Sequence, residues 1–504
     1  MMNSEASQKI EATAPKLERT LLIFFALSSA GLFYLTTLGN PVFDELIAYY
    51  TDRVATVAEM VRIQATMPVS LDPPAYHLFS HWLLQTRFDP MTAMRLPSLL
   101  GGLLMAFSVY LFTRRLMGVY AAAMAATGLL LLNALRIVEA RPYGILLGAT
   151  GLALLLWQNC IRGNRRKASL TGLFLVLGLA VSSHYFGILV ALPLLIAEGW
   201  RSLARRRIDF PVLAALLGSY GFVLGWLPFL KPAAAYRSHY YSQLSVLRVL
   251  DSYAGHKECP VNGSCAVVHV VIALLVLVVV LAGGVWLARR FRNQCAEWVA
   301  VVSLALLPIM GGLLAVFTSG AFEARHMIEY YIGLLIVAAG LVAAVTKSRW
   351  QKRAYLALLL ILLAGRIVQL GFAANKEHKQ MQQYLALDYT SRPVVLTDAH
   401  LYLRLHYLLD PKAANLFWVY DLSHAVEWKH PDTLDRTAEN LRMFTALPIL
   451  SYDEVKSNSF KLMVQRPPER PWPQWLPLQL AKDGAHLEAD GAVGDYRIYL
   501  AGKP

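Results

Sequence analysis

Runs of about 20 apolar residues recur through the first three-quarters of this 504-residue chain, and short arginine- and lysine-rich loops separate them. Twenty residues is the length an α-helix needs to cross a bilayer, so the runs restrict the chain to a polytopic membrane architecture. Composition agrees: 56% of residues are hydrophobic, 16% are charged, and mean hydropathy is +0.44. A soluble chain of this length would be less apolar and more charged.

The formal net charge is +14. The basic residues cluster at Arg114-Arg115, Arg162 to Lys167, Arg201 to Arg207, Arg289 to Arg292 and Lys347 to Arg353. Clusters at alternate ends of apolar runs are the positive-inside signal, which places these loops and the N-terminus on the cytoplasmic side. No aromatic and basic reading module accompanies them, which argues against nucleic acid as a partner. The sequence therefore predicts a polar tail over 1–20, a transmembrane domain over 21–372 with an outer loop at 39–95, and a soluble extracytoplasmic domain over 373–504.

The first span is predicted over Leu21 to Leu38, retained because no signal-peptide cleavage pattern follows. About 11 transmembrane helices follow from the pattern as a whole. Ala168 to Ala197 carries no Asp, Glu, Lys or Arg, and its length suits one long helix. Both its flanks are basic, however, so an even number of crossings is required; a hairpin turning at Ser182-Ser183-His184-Tyr185 is predicted. Beyond Ala373 charge, proline and aromatics rise. Pro393 to Asp398 reads as a buried strand, Ala399 to Leu409 as a helix, and Asp495 to Leu500 as a terminal strand, giving a C-terminal α/β domain.

The chemistry sits where a membrane tolerates it least. Ionisable groups at membrane depth mark functional cavities. On this topology Asp44, Glu45, Asp72, His77, His81, Arg136, Glu139, Arg141, His184, Tyr185, Glu323, Arg325 and His326 all collect on the outer side. Bland readings stand beside the functional one. Asp44-Glu45 suits a helix N-terminus. Glu139 and Arg141 suit a structural ion pair. Asp72-Pro73-Pro74 suits a helix start, His184 a hydrogen-bonded turn, and Arg325 and Arg366 snorkelling to the interface. His77 and His81 lie four apart, without the glutamate of the zinc-protease motif. Cys259 and Cys265 lie six apart on the outer side, where a disulfide or two free thiols are both compatible with the spacing.

Four segments resemble a known family. Phe43-Asp44-Glu45, Asp72-Pro73-Pro74-Ala75-Tyr76-His77, Glu139-Ala140-Arg141-Pro142-Tyr143 and Ser183-His184-Tyr185-Phe186 are similar, in order and spacing, to the motifs of the GT-C glycosyltransferases. The similarity is to the bacterial branch near the protein O-mannosyltransferases (glycosyltransferase family 39) and the lipid A aminoarabinose transferase. One position departs from the pattern: Asp72 stands where the family usually has His. The resemblance covers roughly residues 40 to 190. It implies a polyprenyl-phosphate sugar donor, membrane lipids as surroundings, an acceptor of open identity, and a site in the plasma (inner) membrane.

On that resemblance Asp44 is expected as general base with Glu45 supporting it. Arg141 and Arg325, with His184, are expected to hold the donor phosphate. Asp72, His77, Glu139, Tyr143, Tyr185 and His326 are expected to line the cavity. With the arginines present, charge balance requires no cofactor, and the sequence leaves a divalent metal open. The rival readings are a transporter or flippase, which would need internal repeats and broken mid-membrane helices that this sequence does not show, and a scaffold, which gives an acidic pair beside cations no purpose.

Overall fold

The structure is a computed structural model that describes residues 4–234, 242–255, 264–317, 320–409, 413–423, 431–466 and 475–502. Among these, eight helices are long and apolar enough to cross a membrane: Leu17–Leu38, Pro90–Met117, Val119–Val138, Tyr143–Arg162, Tyr185–Arg205, Phe210–Leu230, Ala266–Arg290 and Arg349–Leu385. The pair Arg292–Ala305 and Leu307–Phe317, bent by 55°, makes a ninth if it crosses as one. The expected count of 11 is therefore reduced by the same criteria. Helix Arg166–Ser183 uses its first turn for Arg166 and Lys167, and helix Tyr330–Val345 has only 16 residues, about 24 Å.

The predicted hairpin is present as a break at His184. There the backbone turns extended (φ −151°, ψ 139°), and a 3-10 turn over Tyr185–Val190 leads into helix Ala191–Arg205.

Small residues let the central helices touch. Gly101, Gly144 and Gly148 place helices Pro90–Met117 and Tyr143–Arg162 in backbone contact; a Cβ on Gly148 would lie 2.5 Å from the carbonyl oxygen of Gly101. Close approach through small residues is the usual way for membrane helices to associate, since lipid supplies no hydrophobic drive between them. Ser98 Oγ accepts the Gly144 N–H at 3.1 Å across this crossing. The crossing fixes the height of the 139–142 loop above Arg95.

The basic end of the bundle is cross-linked by ion pairs. Arg114 meets Glu18 at 2.7 Å, Arg162 meets Glu297 at 3.0 Å, and Asp209 meets Arg166 at 2.5 Å and Arg201 at 2.7 Å. The opposite end carries three short helices, Phe43–Asp52, Val57–Thr66 and Ala75–Leu84; the first and third begin where the sequence offers helix starts, at Asp44-Glu45 and after Asp72-Pro73-Pro74. All three lie in the 39–95 loop. Each is 10 residues, too short to cross, so the loop folds on the membrane surface.

Helix Arg349–Leu385 runs unbroken for 37 residues, past the composition shift at residue 373, and delivers the chain to the C-terminal domain. That domain is a six-stranded mixed sheet. Its strands are β1 (Val394–Leu396), β2 (Leu416–Tyr420), β3 (Ile449–Ser451), β4 (Phe460–Gln465), β5 (Leu487–Val493) and β6 (Tyr496–Ala501), ordered β3-β2-β1-β4-β6-β5. Strands β1 to β4 are parallel, and β6 and β5 add an antiparallel hairpin at one edge. Helix Ala399–Leu409 follows β1, on the residues read as helical from sequence.

This helix docks on helix Phe43–Asp52. His400 stacks on Phe43 (ring centroids 4.6 Å, 29°), and Tyr407 meets Tyr49 edge-on at 5.3 Å. Asn440 Nδ2 adds a hydrogen bond to Pro68 O at 3.0 Å. The carboxyl end of β1 thus faces the short helices, the end of a parallel sheet at which ligand sites commonly form.

Candidate active site

Asp44 and Glu45 are neighbours in sequence but have separate surroundings, because successive residues of a helix point about 100° apart. Helix Phe43–Asp52 begins after Val42, and Glu45 closes its first turn by accepting the Val42 N–H at 3.0 Å. The rest of the Glu45 carboxylate is occupied as well. Arg95 Nε and Nη2 donate to its two oxygens at 2.8 and 2.6 Å, and the Ala140 N–H donates to Oε1 at 2.7 Å. Arg95 also donates to Thr36 O and Gly39 O, at 3.0 and 3.2 Å. Glu45 is 1% exposed. It therefore ties the end of the first span, the surface helix, helix Pro90–Met117 and the 139–142 loop together, in place of the acceptor-facing position expected from its neighbour.

Asp44 is outside that clamp. Its side chain is one-third exposed, and Oδ2 lies 3.7 Å from Arg325 Nη1 and 4.0 Å from Arg141 Nη2. Arg141 Nη2 is in turn 3.4 Å from Asp72 Oδ2, which also accepts from Ser70 Oγ at 3.3 Å. Two carboxylates and two guanidiniums thus form a balanced cluster whose Asp44 contacts are longer than direct hydrogen bonds. The Arg141 Nε is buried and has no hydrogen-bond partner among the described residues. Buried donors normally have one. Burial pushes the Asp44 carboxyl up, but Arg141, Arg325, His400 and Arg136 together hold it below its ordinary value.

His184 faces the same cluster. Its Nδ1 accepts the Phe186 N–H at 3.3 Å, so a neutral ring carries its proton on Nε2, 3.9 Å from Asp72 Oδ1. Burial pushes its pKa down to about 4, with Arg141 and Arg325 adding to the depression against Asp72. His184 is then a neutral hydrogen-bond donor and adds no positive charge to the site. His326 packs against it (ring centroids 5.4 Å) and against Phe186 at 5.5 Å, and burial holds it neutral too. Tyr143 lies under both Arg141 and Arg136, 5.9 and 6.0 Å from its ring centre. Tyr185, half-buried, opens the 3-10 turn.

Several expected placements change. Glu139 pairs with Arg136 at 3.0 Å, and Arg141 goes instead to Asp72 and Asp44. His77 does not line the cavity: it is fully buried behind it, with Nδ1 2.7 Å from Asp52 Oδ1. His81 reaches the Asp52 carbonyl at 2.8 Å, so both histidines fasten helix Ala75–Leu84 to the end of helix Phe43–Asp52. Arg366 is half-buried and donates to Gln369 Oε1 at 2.8 Å on its own helix, away from the cluster. Cys259 lies outside the described residues, as does the side chain of Cys265. Among the described residues no three His, Cys, Asp or Glu side chains are grouped to hold a metal ion.

Two residues escaped sequence reasoning. Arg95 stands where the outer loop meets the apolar run that begins at Leu96, a place at which an ionisable group is itself a signal for a buried partner. His400 reaches the site from the C-terminal domain and leaves no trace in local sequence.

Residues 72–226 match the family model described as dolichyl-phosphate-mannose-protein mannosyltransferase. No curated sequence matches the chain. The fold is similar to that of ArnT from Cupriavidus metallidurans in the apo state, with 11% identity and a TM-score of 0.56, over 96% of this chain and 98% of that one. The same enzyme bound to undecaprenyl phosphate aligns at 12% identity and TM-score 0.54, over 95% and 97%. The Archaeoglobus fulgidus oligosaccharyltransferase tethered to an acceptor peptide aligns at 13% and 0.47, over 94% and 74%.

Proposed function

We propose that this chain is a membrane-embedded glycosyltransferase of the GT-C superfamily that moves a sugar from a polyprenyl-phosphate donor to an acceptor hydroxyl, with Asp44 as general base. The observation that carries the proposal is the position of Asp44 beside Arg141 and Arg325, at 4.0 and 3.7 Å, at the surface end of the bundle. ArnT, whose fold the chain shares, has been solved with undecaprenyl phosphate, and the matched family model is named for a dolichyl-phosphate sugar. A lipid tail needs the bilayer, and its phosphate needs cations at the interface; Arg141 and Arg325 are the cations present.

In the reaction the acceptor oxygen attacks the anomeric carbon and gives its proton to Asp44. The bond from that carbon to the phosphate oxygen breaks, and its electron pair leaves on the polyprenyl phosphate. Arg141 and Arg325 balance the charge that develops there, and His184 offers its Nε2 proton. The two arginines also set the timing. In the free enzyme they depress Asp44 and make it a weak base. Donor phosphate draws on the same guanidiniums, which lets the basicity of Asp44 rise only once the donor is in place. The basic end of the bundle faces the cytoplasm of an inner membrane, and the site with its C-terminal domain faces outward.

Transfer of labelled sugar from polyprenyl phosphate in proteoliposomes tests this. Asp44→Asn is expected to lower kcat about 10²–10⁴-fold with polyprenyl-phosphate binding intact. Arg141→Ala is expected to weaken donor binding. Full transfer by Asp44→Asn sinks the base assignment, and unchanged donor affinity in Arg141→Ala sinks the phosphate site.

A further inference from the structure

The parallel helices Phe43–Asp52 and Ala399–Leu409 enclose a second site. Where their C-terminal ends part, a cavity of about 590 Å³ opens between the surface helix and the C-terminal domain. This lies in the range of small-ligand sites, about 300–1,000 Å³. One wall is aromatic and carries a cation (Tyr49, Tyr50, Arg53, His406, Tyr407 and Phe444), and the rest is mostly aliphatic, from residues 54, 413, 414 and 445–448. The rings are held in fixed orientations. Tyr49 meets Tyr407 at 89° and Tyr50 at 67°, and the Tyr50 hydroxyl lies 3.3 Å from His406 Nδ1.

Arg53 is exposed at the helix end, with its guanidinium 5.3 and 5.2 Å from the Tyr49 and Tyr50 ring centres. No described carboxylate pairs with it. Asp44 is nine residues back on the same helix, about 13 Å along its axis. His400, which stacks beside Asp44, belongs to the same helix as His406 and Tyr407.

We infer that this cavity is an acceptor subsite for a carbohydrate bearing an acidic group. Tyr49 and Tyr407, both half-buried, offer ring surface and hydroxyls to a sugar, with the buried Tyr50 behind them. Arg53, a cation stacked and without an acidic partner, suits a carboxylate or phosphate on the sugar. The guanidinium and the phenol hydroxyls set the cavity apart from the purely apolar grooves that capture peptides. The inference rests on the glycosyl-transfer reading and names the class of acceptor it uses. The subsite holds the acceptor chain at one end of helix Phe43–Asp52 while its reacting hydroxyl lies at the other.

The test uses the full-length protein in nanodiscs and measures two bindings side by side. The probes are oligosaccharides of glucuronate, of mannose 6-phosphate and of glucose, together with undecaprenyl phosphate. An acidic oligosaccharide is expected to bind at least tenfold tighter than the glucose oligomer. Arg53→Gln is expected to remove that preference, and Tyr407→Ala to weaken binding at least tenfold. Undecaprenyl-phosphate affinity should be the same in all three proteins, which also reports that the variants are folded. Equal binding of acidic and neutral probes, binding unaffected by Arg53→Gln, or no binding of any oligosaccharide overturns the inference. Loss of undecaprenyl-phosphate binding from the unmodified protein strikes the donor reading instead, whatever the sugars do.

Discussion

Glu45 and Asp44 show how one residue step separates structure from chemistry. The Glu45 carboxylate meets the two-pronged Arg95 contact, the Val42 N–H and the Ala140 N–H, all buried. Removing its charge leaves Arg95 stranded, and breaking a buried pair in this way costs about 3–5 kcal/mol. Glu45→Gln should therefore lower the apparent melting temperature in detergent far more than Asp44→Asn, and Glu45→Gln with Arg95→Gln should recover part of the loss. His184 supplies a pH signature. Its pKa is about 4 in the folded protein against an ordinary value of about 6.5, so its neutral form favours folding. That contribution is complete above pH 6.5 and is lost as pH falls from there toward 4. Melting followed between pH 4 and 7 should show this decline, and His184→Gln should flatten it.

At the scale of elements, the site depends on a helix crossing that has no room for a methyl group. A Cβ on Gly144 would meet the carbonyl and hydroxyl oxygens of Ser98, while a Cβ on Gly199 would meet nothing within 4 Å. Gly144→Ala should cost about 1–3 kcal/mol or more and lift the Arg141 loop, whereas Gly199→Ala should stay within about 0.5 kcal/mol. Heat-challenged size-exclusion profiles distinguish them.

Elements of this kind were legible where the constraint is local. The basic flanks of Ala168 to Ala197 demanded a break, and it occurs at His184. The run Pro393 to Leu409 announced strand then helix and forms both. The outer-side inventory likewise contained Asp44, Asp72, Arg141, His184, Arg325 and His326, which do meet. Sequence did not reveal which face of a short helix each side chain takes. The expectation that Glu45 supports Asp44 and that His77 lines the cavity therefore meets a different geometry: the first closes a helix turn and the second packs against Asp52. Nor could adjacency show that Glu139 belongs to Arg136, three residues back, when Arg141 is two ahead.

At the scale of the molecule, the candidate site is shared between the helical bundle and the C-terminal domain. His400 stacks on Phe43 and adds to the field on Asp44, yet 356 positions separate His400 from Asp44, and only the docked fold joins them. What sets the docking is helix Arg349–Leu385. Its 37 residues make about 55 Å; the first five, Arg349 to Arg353, belong to the basic loop, and the remaining length of about 48 Å exceeds about 30 Å of hydrocarbon by roughly 18 Å, a length of stiff rod that stands clear of the bilayer. A rod carries angular phase as well as height. One alanine inserted after Ala373 would turn everything beyond it by about 100° and raise it only about 1.5 Å, swinging His400 away from Phe43. Seven inserted residues would bring the bearing back to within about 20° while lifting the domain about 10 Å. Transfer assays on the two insertions would then separate orientation from reach, because this helix fixes the compass heading of the C-terminal domain as well as its distance from the membrane.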